Sequence, residues 1–369
     1  YVSVVGSVIF VLAAAQTNYE TEFWKAKLAS LSPVWSVKAI TNTDLKRVQN
    51  AELIQSLRET LANIQTTIQS LPVLIRPWIN VACVAVMQPY ADASEGKRLC
   101  WKICLLNAGV YLAWKVKPWG MFMRTAFMHN PLSGLSYTLL TSMFSHQSAL
   151  HLLFNCLALE SFGSAAYYYL LREENKAEPE QLESTSSYHF LSFYLSAGLF
   201  AGLVSHVVST KLHYPRLVAQ LSSSVPSIPK TETWAHAVAS ATAASTTRNA
   251  ANKAASTTAA AAASTVPPIL PSLGASGAIY AAVTMTALAF PDSQVALFIP
   301  PSYPINIQYG VGGLIALDVI GIMRGWRFFD HRAHLGGAAF GVFYYLYGPS
   351  FWRQTRKDLE EAERESSEL

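Results

Sequence analysis

Seven stretches of this chain run on with almost no charge: residues 1–15, 99–116, 149–171, 188–209, 273–290, 305–323 and 335–351. Inside a bilayer no water satisfies backbone N–H and C=O groups, so a crossing segment of this kind must be helical. A hydrocarbon core about 30 Å thick asks for roughly 20 apolar residues per helix. The first and fifth stretches are short by that measure, the second carries Lys102 and Lys115 near its ends, and the sixth contains Asp318. A chain of 369 residues could form two soluble domains, but 51% hydrophobic and 14% charged residues argue against it. The expectation is an all-α, polytopic membrane protein.

The formal net charge of +4 gives no reason to expect nucleic acid as a partner. Cys83, Cys100, Cys104 and Cys156 contain no CxxC pair, so neither a disulfide framework nor a zinc site is expected, and no cofactor or metal is assigned. The chain begins at Tyr1 and not at methionine, so the absence of a targeting segment is uninformative. The organisation read from the sequence has an N-terminal transmembrane helix at 1–16 and a loop at 17–97. That loop holds an amphipathic helix marked by Leu45, Val48, Leu53, Leu57, Leu61, Ile64 and Ile68. A membrane core follows at 98–351, then a charged tail at 352–369. An Ala/Ser/Thr-rich insertion at 216–268 interrupts the core, and its low complexity reads as a flexible segment.

Residues 272–283, SLGASGAIYAAV, pose the functional question, because a lipid-spanning helix has no need of a hydroxyl between glycines. Small residues are common where membrane helices pack, so the bland reading of Ser276 is packing. The pattern also fails the nucleophile elbow, since Ala278 stands where GxSxG needs glycine. A nucleophilic serine needs a base. His334, in AHLGG, opens the last apolar stretch as Ser276 opens the fifth. His334, Gly337 and Gly341 share one helical face, and Gly277 with Ala281 gives the fifth stretch a small-residue face. Two such faces allow the close approach that a Ser–His hydrogen bond requires. A third element is HLLFN, where His151 and Asn155 share a face. Asn155 in hydrocarbon is either interhelical glue or a donor to a developing oxyanion, each such donor being worth roughly 3 kcal/mol.

HxxxN, GASGAIYA and AHLGG, in this order, resemble the rhomboid intramembrane serine proteases over roughly 99–351. The resemblance implies a six-helix core, extended here by one N-terminal helix into a 1+6 arrangement. It makes Ser276 the nucleophile, His334 the general base, and His151, Asn155 and the Ser276 amide the oxyanion hole. Tyr280 would stack beneath the histidine, with Gly274, Gly277, Gly337 and Gly341 in support. WRFFDHRAHLGG resembles the mitochondrial presenilins-associated rhomboid-like branch in particular, which lies in the inner mitochondrial membrane. Its fungal members process a dynamin-like GTPase and a peroxidase precursor, which implies roles in precursor processing and in mitochondrial dynamics or quality control. One departure is that Trp119 is followed by Gly120, with Arg124 further on, where many bacterial rhomboids have a Trp-Arg pair.

The expected partners are transmembrane protein substrates and the lipid bilayer, and the sequence assigns no oligomeric state. Short loops on the side of His151, Ser276 and His334 carry Lys115, Lys117, Arg124, Arg324, Arg327 and Arg332 against Asp330, so the site is expected to open toward the matrix. Asp330 reads as an interface charge and Asp318 as a buried residue pairing locally, leaving a Ser–His dyad. No HExxH occurs, which excludes the usual zinc protease motif, and one deep aspartate is too few for an aspartyl protease. Transport is disfavoured by the lack of inverted repeats. The nearest alternative is a catalytically inactive rhomboid-like protein that binds membrane proteins.

Overall fold

A computed structural model describes residues 1–31, 39–177, 180–224, 269–296 and 301–367. Most of the 216–268 insertion therefore lies outside the described residues. Among those described, the only sheet is a two-stranded antiparallel pair, Gln294–Val295 with Ile305–Asn306; most of the rest is helical.

The elements in chain order are α1 (Val2–Leu31), α2 (Asn42–Thr67), α3 (Arg76–Asp92), α4 (Glu95–Ala113) and α5 (Gly120–Ala126). They continue with α6 (Ala149–Asn175), α7 (Ser187–Ser222), α8 (Ser276–Ala289), α9 (Ile307–Arg324) and α10 (His331–Ser367). Local chemistry sets several boundaries. Thr41 and Asp44 form a reciprocal capping box at the start of α2, Ser94 accepts the Lys97 amide at the start of α4, and Gly325 ends α9 in the left-handed region.

All seven apolar stretches are helical over most of their length. By length and composition alone, α1, α6, α7 and α9 suffice to cross a membrane, and a fifth crossing arises if α4 and the following segment Lys117–Ala126, bent by 93°, count as one. The fifth apolar stretch yields only the 14 residues of α8. At 1.5 Å per residue that is about 21 Å, short of the ~30 Å hydrocarbon core. A helix this short cannot bring both ends to the membrane surface.

The helices alternate direction, and their contacts define two ends. One end gathers His129, His146, Ser276 and His334. The loop there is pinned by a bridge in which the His129 and Ser272 amides each donate to the other's carbonyl at 2.9 Å. The opposite end gathers Asn18 of α1, Glu183 of the 180–186 connection, His189 of α7 and Arg356 of α10. Two segments differ from their sequence reading. α1 does not stop near residue 16 but continues to Leu31. The described part of the charged tail, 352–367, continues α10, and its Trp352 and Arg356 are buried.

Arg356 explains that continuity. Its Nε donates to Asn18 Oδ1 at 2.7 Å, its Nη1 to Glu183 Oε2 at 3.2 Å and its Nη2 to the Leu182 carbonyl at 2.8 Å. A buried guanidinium with these partners ties α1, the 180–186 connection and α10 together. Removing one member of a buried ion pair strands the other, so Arg356→Ala is expected to destabilise the protein by about 3–5 kcal/mol. Chemical unfolding in detergent micelles reads this directly. A loss within error of zero would mean that Glu183 is reached by water.

α8 packs most extensively against α10. A Cβ on Gly337 would run into the Gly277 carbonyl, one on Gly341 into the Ala281 carbonyl, and one on Gly277 would stand 2.6 Å from Ala201 Cβ of α7. Backbone cannot yield as a side-chain tip can, so Gly341→Val is expected to cost at least about 3 kcal/mol by separating the two helices. A thermal midpoint unchanged from wild type would show that the pair tolerates separation.

Candidate active site

The segment entering α8 fixes where Ser276 stands. Gly274 adopts φ +126°, a region that disfavours any side chain, and its amide donates to the Ser142 carbonyl at 2.9 Å. A Cβ there would also lie 2.7 Å from His151 Cε1. Glycine thus permits both the turn and the approach of the histidine. Ser276 is the first residue of α8 and is partly exposed. Amides in the first turn of a helix have no intrahelical acceptor and carry the positive end of its dipole.

His334 is fixed on the first turn of α10. Its amide donates to the Asp330 carbonyl at 3.0 Å, the Asp330 carboxylate accepts the Ala333 amide at 3.1 Å, and the same carboxylate accepts the Ser205 hydroxyl of α7 at 2.6 Å. Asp330 is therefore a helix cap and an interhelical tether, more specific than the interface charge expected of it. The His334 ring stacks on Tyr280 at 4.4 Å with a 10° interplanar angle, and its Nε2 lies 2.9 Å from Ser276 Oγ.

The expectation of an imidazole without an acidic partner is not met. Asp318 of α9, only 3% exposed, places Oδ1 3.1 Å from His334 Nδ1 and 2.6 Å from His331 Nδ1. An ionised carboxylate only accepts, so the network assigns the hydrogen to Nδ1 of each imidazole. His334 Nε2 then presents its lone pair to the serine hydroxyl. Asp318, His331 and His334 also hold donor atoms within 4.8 Å of one another, a spacing open to a metal ion, but both Nδ1 positions are engaged as donors to the carboxylate.

On the facing side, Asn155 of α6 is buried and its amide donates to the His151 carbonyl at 2.8 Å, which leaves its second N–H for another acceptor. His146, in the loop before α6, lies edge-on to His151 with ring centroids 5.0 Å apart and accepts the Ala275 amide at 3.5 Å. Burial, and then the neighbouring His151, push His146 down to about 4, so it stays neutral.

A Rhomboid domain is recognised across residues 133–350, more than half of the chain. The chain belongs to the rhomboid family. It is 28% identical over 272 residues to Presenilin-associated rhomboid-like protein A, mitochondrial, of Danio rerio, a match covering 73% of this chain and 53% of that one. The corresponding Homo sapiens protein, Presenilin-associated rhomboid-like protein, mitochondrial, is 28% identical over 269 residues, covering 73% and 53%. Rhomboid protein 1, mitochondrial, of Saccharomyces cerevisiae is 24% identical over 270 residues, covering 73% and 58%. The matched region thus spans little more than half the length of these relatives. No solved structure matches the chain.

Within this rhomboid chain, the residues singled out by sequence fall into two groups. Ser276, His334, Tyr280, Gly274, Gly277, Gly337 and Gly341 meet at the α8–α10 seam, with His151 beside Gly274. Asn155 sits one turn further along α6 and is bonded within its own helix. Sequence reasoning undervalued Asp318 and passed over His331 and His146. A signal existed for the first: a lone carboxylate in an apolar span is costly unless partnered, and HRAH offers two imidazoles three residues apart.

Proposed function

We propose that this chain is an intramembrane serine endopeptidase of the inner mitochondrial membrane that cleaves transmembrane segments of other proteins. The observation that carries the proposal is the 2.9 Å approach of Ser276 Oγ to an imidazole nitrogen whose opposite nitrogen is held on a buried carboxylate. Ser276 Oγ attacks the scissile carbonyl while His334 Nε2 takes its proton. The imidazolium that forms is stabilised by Asp318, and the same proton passes to the leaving amine. Water then hydrolyses the acyl-enzyme by the reverse use of His334. Negative charge on the substrate oxygen is met by the Ser276 amide, by His151 and by the second N–H of Asn155. Holding a carboxylate in an apolar span, bonded to the histidine that faces Ser276, has a cost that a protein serving only to bind would have no reason to bear, which favours catalysis over the inactive binder.

A peptide bond within an intact helix is shielded by its own hydrogen bonds, so good substrates carry residues that let the helix unwind near the cut. The mitochondrial relatives support the compartment. The short loops at the Ser276 end carry Lys115, Lys117, Arg124, Arg324, Arg327 and Arg332 against Asp330, whereas Arg356 at the other end is matched by Glu183, and this favours a site open to the matrix. Precursor processing and mitochondrial dynamics or quality control are the roles such an activity would serve. The test is to reconstitute the full chain in liposomes with single-span substrates, with and without a Gly or Pro in the span, and to map products by mass spectrometry. Cuts within the apolar span, faster with the helix breaker, are expected. Cleavage confined to water-exposed loops, or none at all, would remove the proposal.

A further inference from the structure

At the end of the molecule opposite Ser276, three buried side chains from three segments converge. Glu174 comes from the end of α6, Glu183 from the 180–186 connection and His189 from the first turn of α7, and none exceeds 2% exposure. One donor atom from each lies within 4.8 Å of those of the other two. Each also has an atom without a hydrogen-bond partner: Glu174 Oε1, Glu183 Oε1 and His189 Nδ1. We propose that these three side chains form a structural site for a divalent transition-metal ion.

The second contacts fit that assignment. Glu183 uses Oε2 to accept from Arg356 Nη1 at 3.2 Å and from Trp352 Nε1 at 3.0 Å, which fixes the carboxylate and leaves Oε1 free. His189 Nε2 lies 2.9 Å from the Tyr344 hydroxyl, and its ring stacks on Trp352 at 4.4 Å and 6°. With Nε2–H donated to that hydroxyl, Nδ1 carries a lone pair, which is the arrangement of a metal-ligating histidine oriented by its other nitrogen. Nδ1 stands 3.6 Å from Glu174 Oε1, too long for a hydrogen bond. It is close to the roughly 3.3 Å between two ligand atoms on a tetrahedral zinc ion.

Charge points the same way. Arg356 pairs with Glu183, and a divalent cation would bring to Glu174 the opposite charge that it lacks at contact distance. One imidazole and two carboxylates suit Zn²⁺, Mn²⁺ or Fe²⁺ better than a hard ion that prefers oxygen alone. The spacing of 174, 183 and 189 belongs to no familiar metal motif, so the residues do not stand out as a site until the fold brings them together. Such an ion would clamp α6 to α7 and, through Arg356, to α1 and α10.

The test uses the full chain in detergent, loaded with ZnCl₂, desalted and analysed for metal content, with thermal unfolding before and after chelation. Wild type is expected to retain one zinc per chain and to lose several degrees of thermal midpoint with a chelator. Glu174→Gln and His189→Gln are expected to weaken zinc binding at least about tenfold, and His331→Ala to leave it unchanged. Zinc that fails to remain on wild type would overturn the site, in favour of a proton shared between Glu174 and His189. Retention unaffected by Glu174→Gln and His189→Gln, or abolished by His331→Ala, would overturn it equally, the latter by moving the ion to the Asp318 cluster. Should either glutamine variant fail to fold, metal retention and chelation on wild type decide the matter.

Discussion

Ser276→Ala is expected to lower the cleavage rate of a transmembrane substrate by at least about 10⁴-fold, and His334→Ala by a similar factor. Both follow from the 2.9 Å pairing of Oγ with Nε2: without the hydroxyl no acyl-enzyme forms, and without the imidazole the hydroxyl keeps its proton. Because the two act as a unit, the double variant is expected to be no slower than either single one. Stability separates this loss from misfolding. Removing Oγ deprives Nε2 of one partner at a partly exposed position, worth about 1 kcal/mol, so the thermal midpoint of Ser276→Ala should stay close to wild type. Rates, a serine-directed phosphonate label and unfolding curves on the same preparations make the comparison. Double-variant losses that multiply would mean that the two groups act in separate steps, and labelling that persists in Ser276→Ala would identify another nucleophile.

The parts of this fold that were readable in advance are those governed by local pattern. Apolar length gave the helices, and the small residues Gly277, Ala281, Gly337 and Gly341 gave the α8–α10 seam, because a close backbone approach leaves a signature of missing side chains. Ser276 and His334 were readable since each opens an apolar stretch on the same side. What could not be read depends on contacts across the chain. Arg356 looks like a tail residue until Asn18 and Glu183, 338 and 173 positions away, surround it. α1 outruns its apolar stretch because its polar half, Asn18 and Thr21, finds partners in Arg356 and Ser184. Composition marks those residues only as polar, and tertiary contacts decide whether polar means surface or buried network. Asp318 falls between the two cases. Its burial cost announced a partner, and only the fold shows that the partner is the histidine facing Ser276.

That pairing leads to the second large effect. Asp318→Asn is expected to reduce kcat by about 10²-fold or more, with KM nearly unchanged. The carboxylate accepts from two imidazoles through one oxygen, at 2.6 Å from His331 and 3.1 Å from His334. An asparagine presents the same shape without the charge, so the His334 tautomer can survive in part while stabilisation of the imidazolium does not. The loss should therefore appear in the chemical step and not in substrate binding. His331 is the control. It makes the shorter contact and positions the carboxylate without reaching the serine, so His331→Ala is expected to leave kcat within about tenfold of wild type, since Asp318 keeps its bond to His334. A merely structural Asp318 would give the opposite pattern, with thermal midpoints falling for both variants and kcat per phosphonate-titrated site unchanged. Equal losses of kcat in both variants would instead mean that the two histidines and the carboxylate act as one unit, with the proton on His334 governed as much by His331 as by Asp318.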